Sequence, residues 1–196
     1  MDHFLRPGLR FEVLDSGPAD APAVVLLHGF PQQPSTFDAV ASRLNSEGLR
    51  TLAPSQRGYT RSARPTRRRD YRTAATADDV IALLDTAGLA TAHIVGHDWG
   101  GTQAWGAAGW HPDRVASVTA LSTPHPAAFL KALRTSKQGL VSWYMWLFQL
   151  PALPEAIAAR TLAKSLRENG LPSEFANRYA AALSEPGALT GALNWY

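Results

Sequence analysis

The residues of this chain best placed to do chemistry lie in Val95-Gly96-His97-Asp98-Trp99-Gly100-Gly101. The apolar run Ala92-His93-Ile94-Val95 predicts a buried strand before them, and the small residues from Thr102 to Gly109 predict a helix after them. Gly96-x-Asp98-x-Gly100 then has the form of a nucleophile elbow, with Asp where an ester-cleaving site would carry Ser. So tight a bend leaves no room for side chains beside it, which accounts for the flanking glycines. The free N–H groups and the dipole at the helix start favour a charged carboxylate. A carboxylate held there can attack carbon and form an ester.

Several elements must position this residue. Ala23 to Leu27 is a continuous apolar run, as expected of a strand covered on both faces. His28-Gly29-Phe30-Pro31-Gln32 follows it directly, and loops at the carboxyl ends of parallel strands are where such sheets build sites. There the Phe30 N–H and the Trp99 N–H could together meet a developing oxyanion. Leu9 to Leu14 predicts an early strand and Arg50 to Ala53 a short one. Ser35 is a candidate N-cap for a helix carrying Phe37, Val40, Ala41 and Leu44 and ending at Gly48. Thr76 with Asp79 predicts a capping box at the head of a second helix, whose apolar face is Ala77, Val80, Ile81 and Leu84 and which ends at Gly88. Arg114 to Leu121 predicts the last strand. This alternation argues for an α/β fold with a mostly parallel sheet and helices on both faces. From Pro124 the pattern is helical only: Ala127 to Leu133, Leu140 to Gln149, Glu155 to Leu166, Ser173 to Leu183, and from Gly187 onwards. Two regions are therefore expected, 1–124 and 125–196.

With 45% apolar and 18% charged residues, the composition is that of a globular chain and argues against disorder. The absence of cysteine removes disulfides and thiolate metal sites, and suits a cytoplasmic location. The N-terminus has no apolar signal core, and the stretch near Leu140 to Leu150 is too short to span a bilayer. The net charge of +3 owes much to Arg57, Arg61, Arg64, Arg67, Arg68, Arg69 and Arg72. With no aromatic platform beside them, these predict a solvated loop and not a nucleic-acid surface.

His28-Gly29-Phe30-Pro31-Gln32, Gln56-Arg57-Gly58-Tyr59 and Gly96-His97-Asp98-Trp99-Gly100-Gly101 occur in the order of the α/β-hydrolase superfamily. Asp followed by Trp resembles its epoxide hydrolase branch. Ser142 to Gln149 resembles the segment of the helical cap that holds a first ring-opening tyrosine, here Tyr144. Leu193-Asn194-Trp195-Tyr196 resembles the segment that holds a second, Tyr196. The resemblance implies an α/β-hydrolase fold with a helical cap over residues 125–196. It implies Asp98 as nucleophile, Tyr144 and Tyr196 as hydrogen-bond donors to the epoxide oxygen, and Phe30 and Trp99 as the oxyanion hole. It puts His28, Pro31, Trp99, Trp143 and Phe148 around a small apolar substrate such as an epoxide. Neither cofactor nor metal is implied. Haloalkane and haloacid dehalogenases share the nucleophile type and remain an alternative, but Phe30 replaces the amide that commonly follows His-Gly in haloalkane enzymes. Trp99 likewise replaces the Arg that usually follows the nucleophile in fluoroacetate-type enzymes. Ser55 is a departure from the Asp more often found before Gln-Arg-Gly-Tyr.

The resemblance also implies a histidine that activates water, with an acidic partner, and none of the six histidines stands in that place. His93 is expected in the core, His97 facing away from the bend, and His111 far from its mouth. His125 is the one candidate stand-in. Asp78, Asp79, Asp113 and Glu155 read as capping or surface charges. The expectation is a chain cut off after the cap, able to be alkylated but not to turn over, or a fragment that only binds apolar ligands. A last strand left as an open edge favours dimerisation there or through the cap, aggregation, or marginal folding.

Overall fold

The computed structural model describes residues 1–196. Its single sheet has six strands: β1 (His3–Arg6), β2 (Leu9–Ser16), β3 (Ala23–Leu27), β4 (Arg50–Pro54), β5 (Ala92–His97) and β6 (Val115–Leu121), in the order β1-β2-β4-β3-β5-β6. β4, β3, β5 and β6 run parallel, while β1 and β2 are antiparallel additions at one edge. Parallel pairing needs crossover connections, and α1 (Asp38–Ser46), α2 (Thr73–Thr86) and α3 (Trp99–Trp110) supply them. α2 and α3 cover one face through Val80, Leu83, Leu84, Ala104 and Ala107 against Val25, Leu27, Leu52 and Ile94. On the other face Val24, Leu26 and Ala53 meet Phe37, with Ala41 and Leu44 of α1 packed beside them. Every residue of β3 and β4 is buried; β3 is an unbroken apolar run, whereas β4 opens on Arg50, whose guanidinium donates to Asp15 at 2.9 and 2.7 Å. β6 lies at the sheet edge with most of its residues exposed.

After β6 the chain is helical: α4 (Pro126–Thr135), α5 (Gln138–Val141), α6 (Trp143–Leu147), α7 (Leu153–Glu168), α8 (Ser173–Leu183) and α9 (Ala188–Leu193). Leu183, Ala188, Leu189, Ala192 and Leu193 form a second core with Tyr59. The helix expected over Leu140 to Gln149 is two short ones that break at the buried Ser142, whose hydroxyl accepts from the Gln138 amide. No helix is long and apolar enough to cross a membrane.

One strand lies outside what the sequence predicts, and three local expectations are corrected. β1 is a strand although its sequence carries no clear alternation; Phe4 stacks on Phe11 of β2 at 4.6 Å, so the pairing partner creates it. Ser35 does not cap α1, because a single 3₁₀ turn over Pro34–Phe37 intervenes. No capping box forms, since α2 starts at Thr73, and the Thr76 hydroxyl donates to the Thr73 carbonyl. Asp79 is not a surface or capping charge but is turned into the core, 3% exposed.

Its partner there is Arg57, also 5% exposed, so the basic segment is not simply a solvated loop. The Arg57 Nε and Nη2 donate to the two Asp79 oxygens at 2.8 and 2.6 Å. Arg6 Nε approaches the same carboxylate at 3.4 Å. Removing one member of so buried a pair strands the other charge. Asp79→Ala is therefore expected to cost about 3–5 kcal/mol in urea unfolding, and the double replacement Arg57→Met with Asp79→Leu to cost much less. Equal losses in the two variants would show that the pair is not the cause.

Candidate active site

β5 delivers Asp98 to a bend at which its backbone takes φ 52° and ψ −122° before α3 begins at Trp99. A non-glycine residue persists in such a conformation only where its surroundings over-determine it. Here Gly29, Gly96 and Gly100 allow three backbone segments to touch. A Cβ on Gly96 would strike the Gly100 backbone, one on Gly100 the Leu27 and His28 carbonyls, and one on Gly29 the Asp98 side chain. The Thr123 hydroxyl, on the loop leaving β6, donates to the Asp98 carbonyl at 2.8 Å and ties the neighbouring strand to the bend.

The Asp98 carboxylate faces the loop after β3. Phe30 N–H donates to its Oδ1 at 2.9 Å. That peptide is held from its other side: the Gly29 carbonyl accepts from Gln32 N–H at 2.8 Å, and the Tyr59 hydroxyl donates to it from 3.4 Å. His28 closes the arrangement. Its Nε2 accepts from Gln56 N–H at 3.3 Å, which leaves the proton on Nδ1, 3.1 Å from the Gly29 carbonyl. The Gln56 side-chain amide donates to the His28 carbonyl. The Phe30–Pro31 peptide is cis.

Asp98, Trp99, Tyr144 and Tyr196 line one cavity of about 440 Å³. Met145, Phe129, Gln138 and Thr123 complete much of its wall, and none of these four was singled out from the sequence. For Thr123 a signal existed, since it leaves the carboxyl end of a strand adjacent to β5; the other three depend on how the helices fold back. Tyr196 is well packed for a residue at the end of the chain. Its ring stands edge-on to Trp99 at 4.9 Å, to Phe148 at 4.7 Å and to Phe30 at 6.0 Å, with Tyr144 at 6.0 Å. Burial, and then the charge of Asp98, raise the pKa of both phenols above the ordinary tyrosine value, that of Tyr196 by far the more. Both therefore stay protonated at any ordinary pH.

Other expected residues lie elsewhere. Trp143, expected at the substrate, is 63% exposed and outside the cavity wall. His28 and Pro31 are buried and do not line the cavity, and Phe148 stands outside its wall, packing against the rings of Tyr144, Tyr196 and Phe30. Each histidine is engaged away from Asp98. His125, the candidate stand-in, lies outside the cavity wall, where its Nδ1 accepts from Ala127 N–H and caps α4. His97 meets Gln32 at 2.9 Å, and His111 meets Asp78 at 3.0 Å. His93 is exposed beside Ser117 and not in the core as expected, because that face of β5 and β6 is uncovered.

A family model for the alpha/beta hydrolase fold matches residues 22–177. The chain belongs to the α/β-hydrolase superfamily, as its sheet order and the bend at Asp98 suggest. Within it the chain is epoxide hydrolase-like. It is 35% identical to Epoxide hydrolase A of Mycobacterium tuberculosis, over 95% of this chain and 56% of that protein. It is 37% identical to the AB hydrolase superfamily protein YfhM of Bacillus subtilis, over 96% of this chain and 69% of that one. A solved epoxide hydrolase from metagenomes of hot environments superposes with a TM-score of 0.87 at 33% identity, covering 99% of this chain and 68% of the other. The chain thus spans between about half and about two thirds of the length of these relatives.

Burial lowers the His28 pKa to about 4, below its ordinary 6.5. On acidification the unfolded chain binds this proton first. The stability held above pH 6.5 is then expected to fall by about 3 kcal/mol as the pH drops toward 4. Urea unfolding across that range checks it, and His28→Gln should flatten the slope in proportion.

Proposed function

We propose that Asp98 opens an epoxide and carries the product as an ester. The carboxylate oxygen not held by Phe30 forms a bond to one ring carbon, and that carbon's bond to the ring oxygen breaks with its electron pair left on oxygen. A phenol, Tyr144 or Tyr196, gives its proton to that oxygen and leaves a hydroxyl; the phenolate then takes a proton from solvent. The observation that carries this reading is the shared cavity: one carboxylate at the start of a helix and two protonated phenols on an apolar wall. The relatives that are epoxide hydrolases supply the substrate class.

The same geometry suits the second half of such a reaction. When water adds to the ester, Oδ1 becomes the oxyanion, and Phe30 N–H already lies 2.9 Å from it. The Trp99 N–H at the first turn of α3 is the second candidate donor in this reading. The base that would draw a proton from that water is another matter, since every histidine of this chain has a different partner. In the 196-residue chain the ester is therefore expected to persist.

Single-turnover incubation with styrene oxide, read by intact mass, tests the reading. One adduct per chain is expected, abolished by Asp98→Asn. Tyr144→Phe and Tyr196→Phe should each slow its formation by about a hundredfold. No adduct on the unaltered chain would overturn the nucleophile assignment, and steady accumulation of diol would overturn the persistence of the ester. The pH profile is a separate check. Because both phenols have pKa values raised above 10.0, the rate of adduct formation should not decline as the pH is taken from neutral to 10. A fall centred near 10, where an ordinary phenol ionises, would remove the two tyrosines from the acid role.

A further inference from the structure

The basic segment after β4 does more than carry charge. Arg64 is an exposed-looking residue in the sequence, yet its side chain is only 9% exposed. Its guanidinium donates to three carbonyls: Gly58 at 2.8 Å, Tyr59 at 3.2 Å and Pro186 at 2.9 Å. The first two belong to the buried loop behind the Gly29–Phe30 peptide, and the third to the turn that starts α9. Beneath this fork Gly58 and Gly191 touch backbone to backbone, since a Cβ on either would come within 2.6 Å of the other's carbonyl oxygen. The stem of Arg64 closes over the same contact, with Cγ 3.0 Å from where a Gly191 Cβ would stand. Arg68 makes a second attachment. It donates to the Phe148 carbonyl at 2.9 Å and to Gln149 Oε1 at 2.8 Å, and the Gln149 amide donates onward to the Tyr196 carbonyl at 2.8 Å.

Both attachments end on the segment that carries Tyr196, and the second also holds Phe148, whose ring packs against Tyr144 and Tyr196. We propose that Arg64 and Arg68 are positioning residues that set the Tyr196 phenol, and through Phe148 the Tyr144 phenol, at the distance from Asp98 that ring opening requires. This rests on the epoxide reading of the site. The chemistry explains the residue type. A planar guanidinium can satisfy two or three carbonyls in fixed directions, which an ammonium on a flexible stem cannot. Neither arginine touches the cavity, so each acts only through the phenols it places.

The discriminating experiment compares two alkylating agents on the 196-residue chain. An epoxide needs a proton donor for its leaving oxygen, whereas iodide departs from a primary alkyl iodide without one. For Arg64→Met and Arg68→Met, adduct formation with styrene oxide is expected to slow by about tenfold or more. Alkylation of Asp98 by 2-phenylethyl iodide is expected to stay within about twofold of the unaltered chain. Gln149→Glu retains the partner of Arg68 but replaces the donor to the Tyr196 carbonyl with an acceptor, so it should reproduce the Arg68→Met result. Should Arg64→Met not fold, Arg68→Met and Gln149→Glu decide the question. Unchanged epoxide rates, or equal slowing with both reagents, would overturn the proposal. If the unaltered chain forms no epoxide adduct, the reading of the reaction fails, and hydrogen exchange over residues 188–196 then decides the anchoring alone. Faster exchange in Arg64→Met and Arg68→Met upholds it, and unchanged exchange overturns it.

Discussion

Everything at this site depends on three backbone segments touching where only glycine permits it. Gly29, Gly96 and Gly100 lie where a Cβ would meet carbonyl groups, neighbouring backbone or the Asp98 side chain itself. Their contact brings the ends of β3 and β5 and the start of α3 together around one residue. Asp98 takes up the resulting strain, with its φ of 52°, a cost of order 1–3 kcal/mol that the parallel pairing of Leu27 with Gly96 must hold in place. In return the carboxylate meets Phe30 N–H, a donor whose direction is set by contacts on the far side of its own peptide. No rotamer change is needed to bring donor and acceptor together, which is what preorganisation means here.

The charge at Asp98 and the apolar wall facing it act on the phenols in the same direction. Burial disfavours a phenolate, and a nearby carboxylate disfavours it further. The phenols are therefore kept protonated and neutral, first by burial and then by the nucleophile they work beside. That arrangement suits a reaction in which negative charge leaves Asp98 as it appears on the leaving oxygen, because the repulsion that holds the proton in place weakens as the proton is needed.

Much of the sheet was legible because β3 is an uninterrupted buried apolar run, the buried residues of β5 are apolar or small, and α1 and α2 repeat apolar residues at helical spacing. The bend was legible because its glycines and its carboxylate are adjacent in sequence. What could not be read is what depends on a partner far along the chain. Asp79 looked like part of a capping box with Thr76, and only Arg57, which the fold brings against it, explains its burial. β1 exists because Phe4 has Phe11 to stack on. His93 reads as a core residue in an apolar strand, and it is exposed because no helix covers that face of β5 and β6. Trp143 reads as a pocket aromatic beside Tyr144, yet short helices break the periodicity and turn it outward. Arg64 and Arg68 could be counted but not assigned, since most of their acceptors are carbonyls, which carry no sequence signature.

The position of Tyr196 shows how far such long-range dependence reaches. α9 has six residues, too few to hold a helix by their own hydrogen bonds. Its place must come from outside. Gly191 lies against Gly58, and the Trp195 indole N–H donates to the Arg57 carbonyl at 2.8 Å. The backbone at Arg57 is in turn anchored by that residue's own side chain, locked to Asp79 on α2. A buried ion pair on the helix side of the sheet thus fixes the loop on which α9 rests, and α9 fixes the ring that faces Asp98. Isolated buried ion pairs are weak sources of stability, and an apolar pair of similar shape often does as well. This one is better understood through its directionality. Two opposed forks fix a rotation of the Arg57 backbone that an apolar contact would leave free, and that rotation decides where the Trp195 N–H, and Tyr196 after it, come to lie.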